Sequence, residues 1–423
     1  MKRRFGKREF CIKSKSATFA VVYMADNTTK TTITPLEAAF IREHSGEDAS
    51  KLLFRYSKES AEGFDVAFCV LQIESRNRLR AKLPCFAACE EFVFPPSINS
   101  SQTSGELSAQ YKSSLLKGGE TMVDLTCGLG VDAFFFAQKA SRVCCCEKQD
   151  WLCKIAESNF KALKVDNCEF VSAACEDYLA QMEPCEVIYI DPSRRDENLA
   201  RVYAVEDCSP NVVELQKQLL CKAPRVIIKL SPMSDLKSLC RDLQKVSDIH
   251  VVSVENECKE VLVELKRDYI GQLTFHAVNI TKTNTDILSF NQETDETACE
   301  FVSSKEQIGR FIYEPNASLM KIGRFGRLVE KYDFKKLHPH SHLFTSDVPI
   351  EHFCGRSFEV EEIRKPNAKA LKDIKKANIV VRNFPQNVKE LRQQTKIKEG
   401  GEDYLFFTTL CCEEKVCLLC KRI

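Results

Sequence analysis

No stretch of this 423-residue chain stays apolar for the ~18 residues a membrane-spanning helix requires. The N-terminus, Met1-Lys-Arg-Arg-Phe5, lacks the hydrophobic core of a signal peptide. Charge of one sign is missing too. Lys and Arg number 61 against 60 Asp and Glu, a formal net charge of +1, so no global basic field draws the chain to nucleic acid or to a membrane surface. Cysteine, by contrast, is plentiful at 22. Many of these fall in expected strands, as at Cys144 to Cys146, where a thiol behaves as a small buried apolar group. That placement points to a reducing cytoplasm rather than to a disulfide framework. The length is too great for one core and implies about three domains.

Also absent is the full dinucleotide fingerprint G-x-G-x-x-G. The chain has instead Val123-Asp-Leu-Thr-Cys-Gly-Leu-Gly-Val-Asp132, followed by Ala133 and the bulky Phe134 to Phe136. Thr121 to Leu125 is expected as a strand running into a glycine turn, and Ala133 to Ala137 as the opening of a helix. Glycine at 128 and 130 permits unusual backbone angles and lets a ligand approach the main chain. Val143 to Cys146 is expected as a second strand, with Glu147 at its end, placed to accept both hydroxyls of an adenosine ribose. A nucleoside without pyrophosphate fits this turn better than a dinucleotide. The alternative is an ordinary strand-to-helix turn.

Together these residues resemble the cofactor site of class I S-adenosyl-L-methionine (SAM)-dependent methyltransferases. The resemblance implies SAM as cofactor and Asp124, Thr126, Cys127, Gly128, Gly130, Asp132, Glu147 and Lys148 around it. Two further segments support it. Val187 to Ile190 is a short β-branched run expected as a buried parallel strand, closed by Asp191-Pro192. In doubly wound sheets ligands sit at the carboxyl ends of strands, which makes Asp191 a catalytic candidate beside SAM and its acceptor. The segment is similar to the Asp/Asn-Pro-Pro motif of nucleic-acid methyltransferases, with Ser193-Arg194-Arg195 in place of the aromatic that amino-group enzymes carry, and those three residues are candidates for substrate contact. Arg225 to Leu230 is another buried strand, and Lys229 near its end requires a partner. Adenine recognition falls to Glu176 or Asp177 after the third strand, although many relatives have Gly-Asp where this chain has Ala173-Ala174. The alternative for Asp177 is a helix N-cap.

The expected fold is α/β. A helical N-terminal unit (1–115) precedes a Rossmann-like class I methyltransferase sheet (116–270). A linker and ferredoxin-like unit (271–355) and a THUMP-like domain (356–423), both small α+β pieces, complete it. Thr34 is expected to cap a helix from Pro35. Strands are expected at 121–125, 143–146, 168–172, 187–190 and 225–230, with paired late strands near 249–254 and 260–266, and 281–300 as a polar loop or linker. Glu314-Pro-Asn-Ala317 and Gly400-Gly-Glu-Asp-Tyr-Leu405, together with the two motifs above, are similar to bacterial class I methyltransferases that end in ferredoxin-like and THUMP-like pieces. THUMP domains bind RNA, chiefly tRNA, so the resemblance implies an RNA substrate. Residues 361–398 hold eleven Lys/Arg against four acids, and Lys365, Lys369 and Arg382 are candidates for phosphate contact, with a solvated helix surface as the alternative.

No metal is expected. His338, His340 and His342 have no suitably spaced carboxylate or cysteine. The one C-x-x-C of Cys411, Cys412, Cys417 and Cys420 lacks a second spaced pair, and Glu413-Glu-Lys415 suits a hairpin turn. Candidates resembling the Lys-Asp-Lys-Glu set of ribose methyltransferases occur in order as Lys112, Asp191, Lys229 and Glu260, with ring-nitrogen or ring-carbon methylation as the alternative chemistry. A protein or small-molecule acceptor, or a non-catalytic RNA-binding protein on the same scaffold, are the alternative functions.

Overall fold

A computed structural model describes residues 30–56, 64–96, 103–194, 205–292 and 298–423. The chain divides into two compact units. The first holds the described residues up to 194 together with Cys208–Ile227, and the second holds 205–207 and Ile228–Ile423.

The first unit opens with helices. Thr34 caps Pro35–Glu43 through a reciprocal pair of bonds: Glu37 N–H donates to Thr34 Oγ1 (3.4 Å), and Thr34 N–H donates to Glu37 Oε2 (3.0 Å). Helices Ala49–Tyr56, Val66–Leu79, Pro84–Ala88 and Glu106–Ser114 follow. They share a core with the sheet layer, since Phe68, Phe86 and Phe92 pack in one cluster with Leu129, Phe135 and Ile155. The strands β1 (Thr121–Asp124), β2 (Arg142–Glu147), β3 (Cys168–Ser172) and β4 (Val187–Ile190) lie in the order β4-β1-β2-β3, all parallel. β4 is buried along its whole length, as its β-branched sequence requires. A short antiparallel ribbon pairs β5 (Ser193–Arg194) with β6 (Cys208–Ser209). β7 (Arg225–Leu230) begins beside β4, and the division between the units falls within it.

In the second unit β8 (Val246–Val254) and β9 (Glu257–Lys266) form an antiparallel hairpin. Glu255 (φ 49) and Asn256 (φ 62) at its tip take the left-handed conformation that matches the twist of the strands. β10 (Thr274–Ile280) lies parallel to β8, and β11 (Thr285–Asn291) lies antiparallel to β10, so this sheet runs to residue 291, past 270. The expectation of a loop over 281–300 is therefore corrected at β11. Leu288 alone is buried in it, Phe290 is half-buried on the same face and Ile287 is exposed on the other, so apolar residues on both faces blur the alternation that would reveal the strand.

A second sheet holds β12 (Phe311–Pro315), β13 (Lys335–Lys336), β14 (Phe344–Ser346), β15 (Gly355–Arg364), β16 (Asn378–Arg382), β17 (Asp403–Thr409) and β18 (Lys415–Arg422), in the order β13-β14-β12-β15-β18-β17-β16. It curls until its ends meet. Asn383 Nδ2, just past β16, donates to His338 Nδ1 beyond β13 (2.9 Å), and Cys411 N–H donates to Leu337 O (3.1 Å). Helix Ala317–Ile322, capped by Asn316, joins the two sheets of this unit, with Ser318 Oγ 2.6 Å from Ser253 Oγ and 2.5 Å from Val278 O.

Candidate functional site

In the first unit, β1 delivers Asp124 to the carboxyl edge of the sheet, 1% exposed, where its carboxylate accepts the N–H of Thr126 at 3.0 Å. Burial pushes the Asp124 carboxyl well above the usual carboxylate range. The Thr126 N–H opposes this, and the charges of Asp132, Asp191 and Glu147 reinforce it. The chain then turns on two glycines in left-handed conformations, Gly128 (φ 57) and Gly130 (φ 84). A Cβ at 130 would stand 2.5 Å from Phe160 Cε2, whereas one at 128 would meet nothing within 4 Å. Gly130 is thus required by packing, and Gly128 leaves the turn open on its outer side. Cys127, buried, anchors the turn to β2 through its N–H to Cys146 O (2.9 Å).

Glu147 ends β2 at 8% exposure. One carboxylate oxygen accepts Gly128 N–H (3.0 Å) and the other accepts Gln149 N–H (2.9 Å). Each oxygen keeps a further lone pair, and the carboxylate is fixed against the glycine turn. Lys148 beside it is exposed. Asp191 follows β4 with its N–H bonded to Thr126 Oγ1 (2.7 Å), which ties the end of β4 to the turn after β1; Pro192 is buried and Ser193 is exposed, with its hydroxyl on Ser209 O (3.1 Å). Arg195 and the side chain of Arg194 lie outside the described residues. Glu176 and Asp177 are exposed in the first turn of helix Cys175–Gln181, whose N-cap position is Ala174, so Asp177 is not its cap.

Asp132 is the centre of a network that sequence reasoning missed. Its Oδ1 is 2.9 Å from Lys112 Nζ, and its Oδ2 accepts both Ser104 Oγ and Tyr189 OH at 2.8 Å. Lys112 is fully enclosed and also donates to Ser104 Oγ (3.1 Å). A group that takes a proton from a substrate has to reach it, and this ammonium is held inward by Asp132. The one available signal was Tyr189, a lone hydroxyl in an otherwise aliphatic buried strand, which demands a partner. Lys229, half-buried on β7, and Glu260, 2% exposed on β9, belong to the second unit, whereas Lys112 and Asp191 belong to the first.

Further along, Lys365 and Lys369 are exposed, while Arg382 is half-buried and paired with Glu314 at 2.5 Å. Among the described residues no three His, Cys, Asp or Glu side chains are grouped to hold a metal ion. His338 serves the sheet closure instead.

A parallel sheet with a glycine turn after its first strand, an acid closing the second and Asp-Pro closing the fourth defines a methyltransferase fold. Residues 311–353 match the model of a ferredoxin-like domain and residues 355–422 that of a THUMP domain-like family. A crystal structure of a protein of Porphyromonas gingivalis W83, provisionally named a methyltransferase, is 31% identical over 92% of this chain and 97% of that one, with a TM-score of 0.82. The chain belongs to that methyltransferase family. A curated, uncharacterized RNA methyltransferase of Clostridium tetani (strain Massachusetts / E88) is 26% identical over 138 residues, 32% of this chain; the match spans about a quarter of that relative's length (26%).

Proposed function

We propose that this methyltransferase uses SAM and that its substrate is RNA, with tRNA the favoured class. The observation that carries the cofactor is the fixed Glu147 carboxylate at the end of β2, with lone pairs to spare beside the open face of Gly128. Those lone pairs suit the two hydroxyls of a ribose. The charge balance fits as well. Asp124, Asp191 and Glu147 gather around the turn, and burial already opposes ionisation of Asp124, so a cationic ligand relieves the site. SAM supplies an activated methyl group on a sulfonium centre. Glu147 is assigned to the ribose, Asp124 and the Gly128–Gly130 turn to the methionine end, and Glu176 or Asp177 to the adenine. Asp191, held to Thr126 by its backbone, is the candidate to orient the atom that accepts the methyl group.

The RNA reading is supported by the THUMP-like segment and by the surface it carries. Lys365, Lys369, Lys372, Lys375, Lys389 and Lys398 are exposed, and among the described residues they make no side-chain hydrogen bond or ion pair. Comparison of modified nucleosides in RNA from cells with and without the gene tests the whole reading. Loss of one methylated nucleoside is expected. An unchanged profile, with methyl transfer to a protein or small molecule instead, removes the RNA assignment while leaving the enzyme class intact.

A further inference from the structure

The curled sheet of the second unit has an apolar interior in which Ile312, Phe358, Phe406 and Leu418 pack together, with Val380 against them. Side chains alternate along a strand, so two residues from these positions the same face carries Glu314 on β12, Arg356 on β15, Thr408 on β17 and Arg382 on β16. There the interior turns charged. Glu314, 3% exposed, accepts Arg356 Nε at 2.8 Å and pairs with Arg382 Nη2 at 2.5 Å. One carboxylate therefore holds two guanidiniums.

Lys336, 4% exposed, adds a third cation. Its ammonium donates to Pro339 O (2.7 Å) and faces the Phe325 ring (4.5 Å) rather than an acid. Lys336 is enclosed, and the partly exposed guanidiniums of Arg356 and Arg382 share one carboxylate, so the group has excess positive charge and a side open to an anion. Polar atoms in the same region are buried with no hydrogen-bond partner: Arg382 Nε, His342 Nδ1, Asn316 Nδ2 and Thr408 Oγ1. Beside them the half-buried rings of His342 and Phe325 stack, with centroids 4.5 Å apart and planes 22° apart. The charges of Lys336 and Arg382 both act on His342, which joins the ring pair to the cationic group.

We propose that this end of the curled sheet binds one unpaired nucleotide of RNA, its phosphate on Arg356 and Arg382 and its base against the His342–Phe325 ring pair; this rests on the RNA reading above. Each guanidinium keeps N–H groups beyond those given to Glu314 and, for Arg382, to Val381 O, and Glu314 holds both groups in place in advance, so little side-chain freedom is lost when a phosphate accepts from them. A ring pair stacks any base, which suits a site that grips a strand rather than one that reads its sequence.

The test is binding of a labelled single-stranded RNA decamer to the full chain, by fluorescence anisotropy at several salt concentrations. Arg382→Gln is expected to weaken binding at least tenfold and to lower the slope of log affinity against log salt by about 0.7, the share of one phosphate on a single strand. His342→Ala is expected to weaken it about fivefold or more with the slope unchanged, because it removes stacking and no charge. Thermal melting reports whether each variant folds. If Arg382→Gln does not, Arg382→Lys keeps the pairing with Glu314 but loses the fork, and binding is expected to fall several-fold with the slope kept. Wild-type binding that these variants leave unchanged overturns this site while the RNA reading stands; a wild type that binds no RNA removes both. Inorganic phosphate that raises the wild-type melting temperature, with RNA affinity unchanged in the arginine variants, assigns the site to a free anion and overturns the proposal.

Discussion

Glu147 illustrates how a single carboxylate can be both built in and available. Its two oxygens each take one backbone N–H, which fixes the group without saturating it. Hydrogen bonds to a charged acceptor contribute about 1.5–3 kcal/mol, so Glu147→Ala should weaken SAM binding at least tenfold by calorimetry. An unchanged affinity would remove the ribose assignment. Lys112 behaves differently. It is enclosed, and its ammonium is committed to Asp132 and Ser104. Lys112→Met leaves the Asp132 carboxylate inside the protein without its cation, and a loss of about 3–5 kcal/mol in denaturant unfolding is expected. A variant that folds normally but loses only kcat would instead return Lys112 to the reaction. His342 sets a pH dependence. Burial, then the charges of Lys336, His340 and Arg382, hold its imidazole down from 6.5 to about 4. The folded state thus favours the neutral ring: the contribution is complete above pH 6.5 and is lost as pH falls through about 4. The melting temperature should fall over that window more in the wild type than in His342→Phe.

At the scale of elements, the two glycines of the turn after β1 separate folding from binding. Gly130→Ala combines a left-handed backbone with a Cβ 2.5 Å from Phe160, and a melting temperature several degrees lower is expected. Gly128→Ala carries the left-handed strain alone, about 1–2 kcal/mol, because its Cβ meets no protein atom; that Cβ would intrude on the ligand's side, and SAM affinity should fall by more than this cost to stability. The reverse pattern would place the cofactor elsewhere. These elements were legible in the sequence because each carries a local signal. Thr34 and Glu37 stand three apart as a capping box, and β4 is a β-branched run too short for a helix. The glycines announce a turn whatever surrounds it. β11 escaped because Ile287, exposed on its outward face, blurs the apolar alternation with Leu288 and Phe290. The Lys112–Asp132–Tyr189 network escaped for another reason: its members lie on a helix before β1, a helix after it and on β4, and only the packed fold brings them together. Pairing between distant segments leaves no periodicity to read.

For the molecule as a whole, a formal charge of +1 conceals an uneven surface. The exposed lysines of 361–398 concentrate positive charge on the THUMP-like segment. Binding of bulk tRNA is therefore expected to weaken steeply with salt, and the double variant Lys365→Glu/Lys369→Glu should lower both the affinity and the slope. Binding that ignores salt would point to an acceptor without phosphates. Domain limits were less legible than the motifs, because composition changes little where the polypeptide passes from one layer to the next. The helices that precede β1 make the point. Phe68, Phe86 and Phe92 share one packed cluster with Leu129, Phe135 and Ile155, so these helices are part of the layer that packs on the β4-β1-β2-β3 sheet and not an appendage to it. A chimera that took residues 30–114 from a relative would graft one half of an interlocked surface onto another protein's other half. Exchange between family members should therefore succeed only when both halves travel together, which makes the segment before β1 and the sheet it packs on a single unit of exchange.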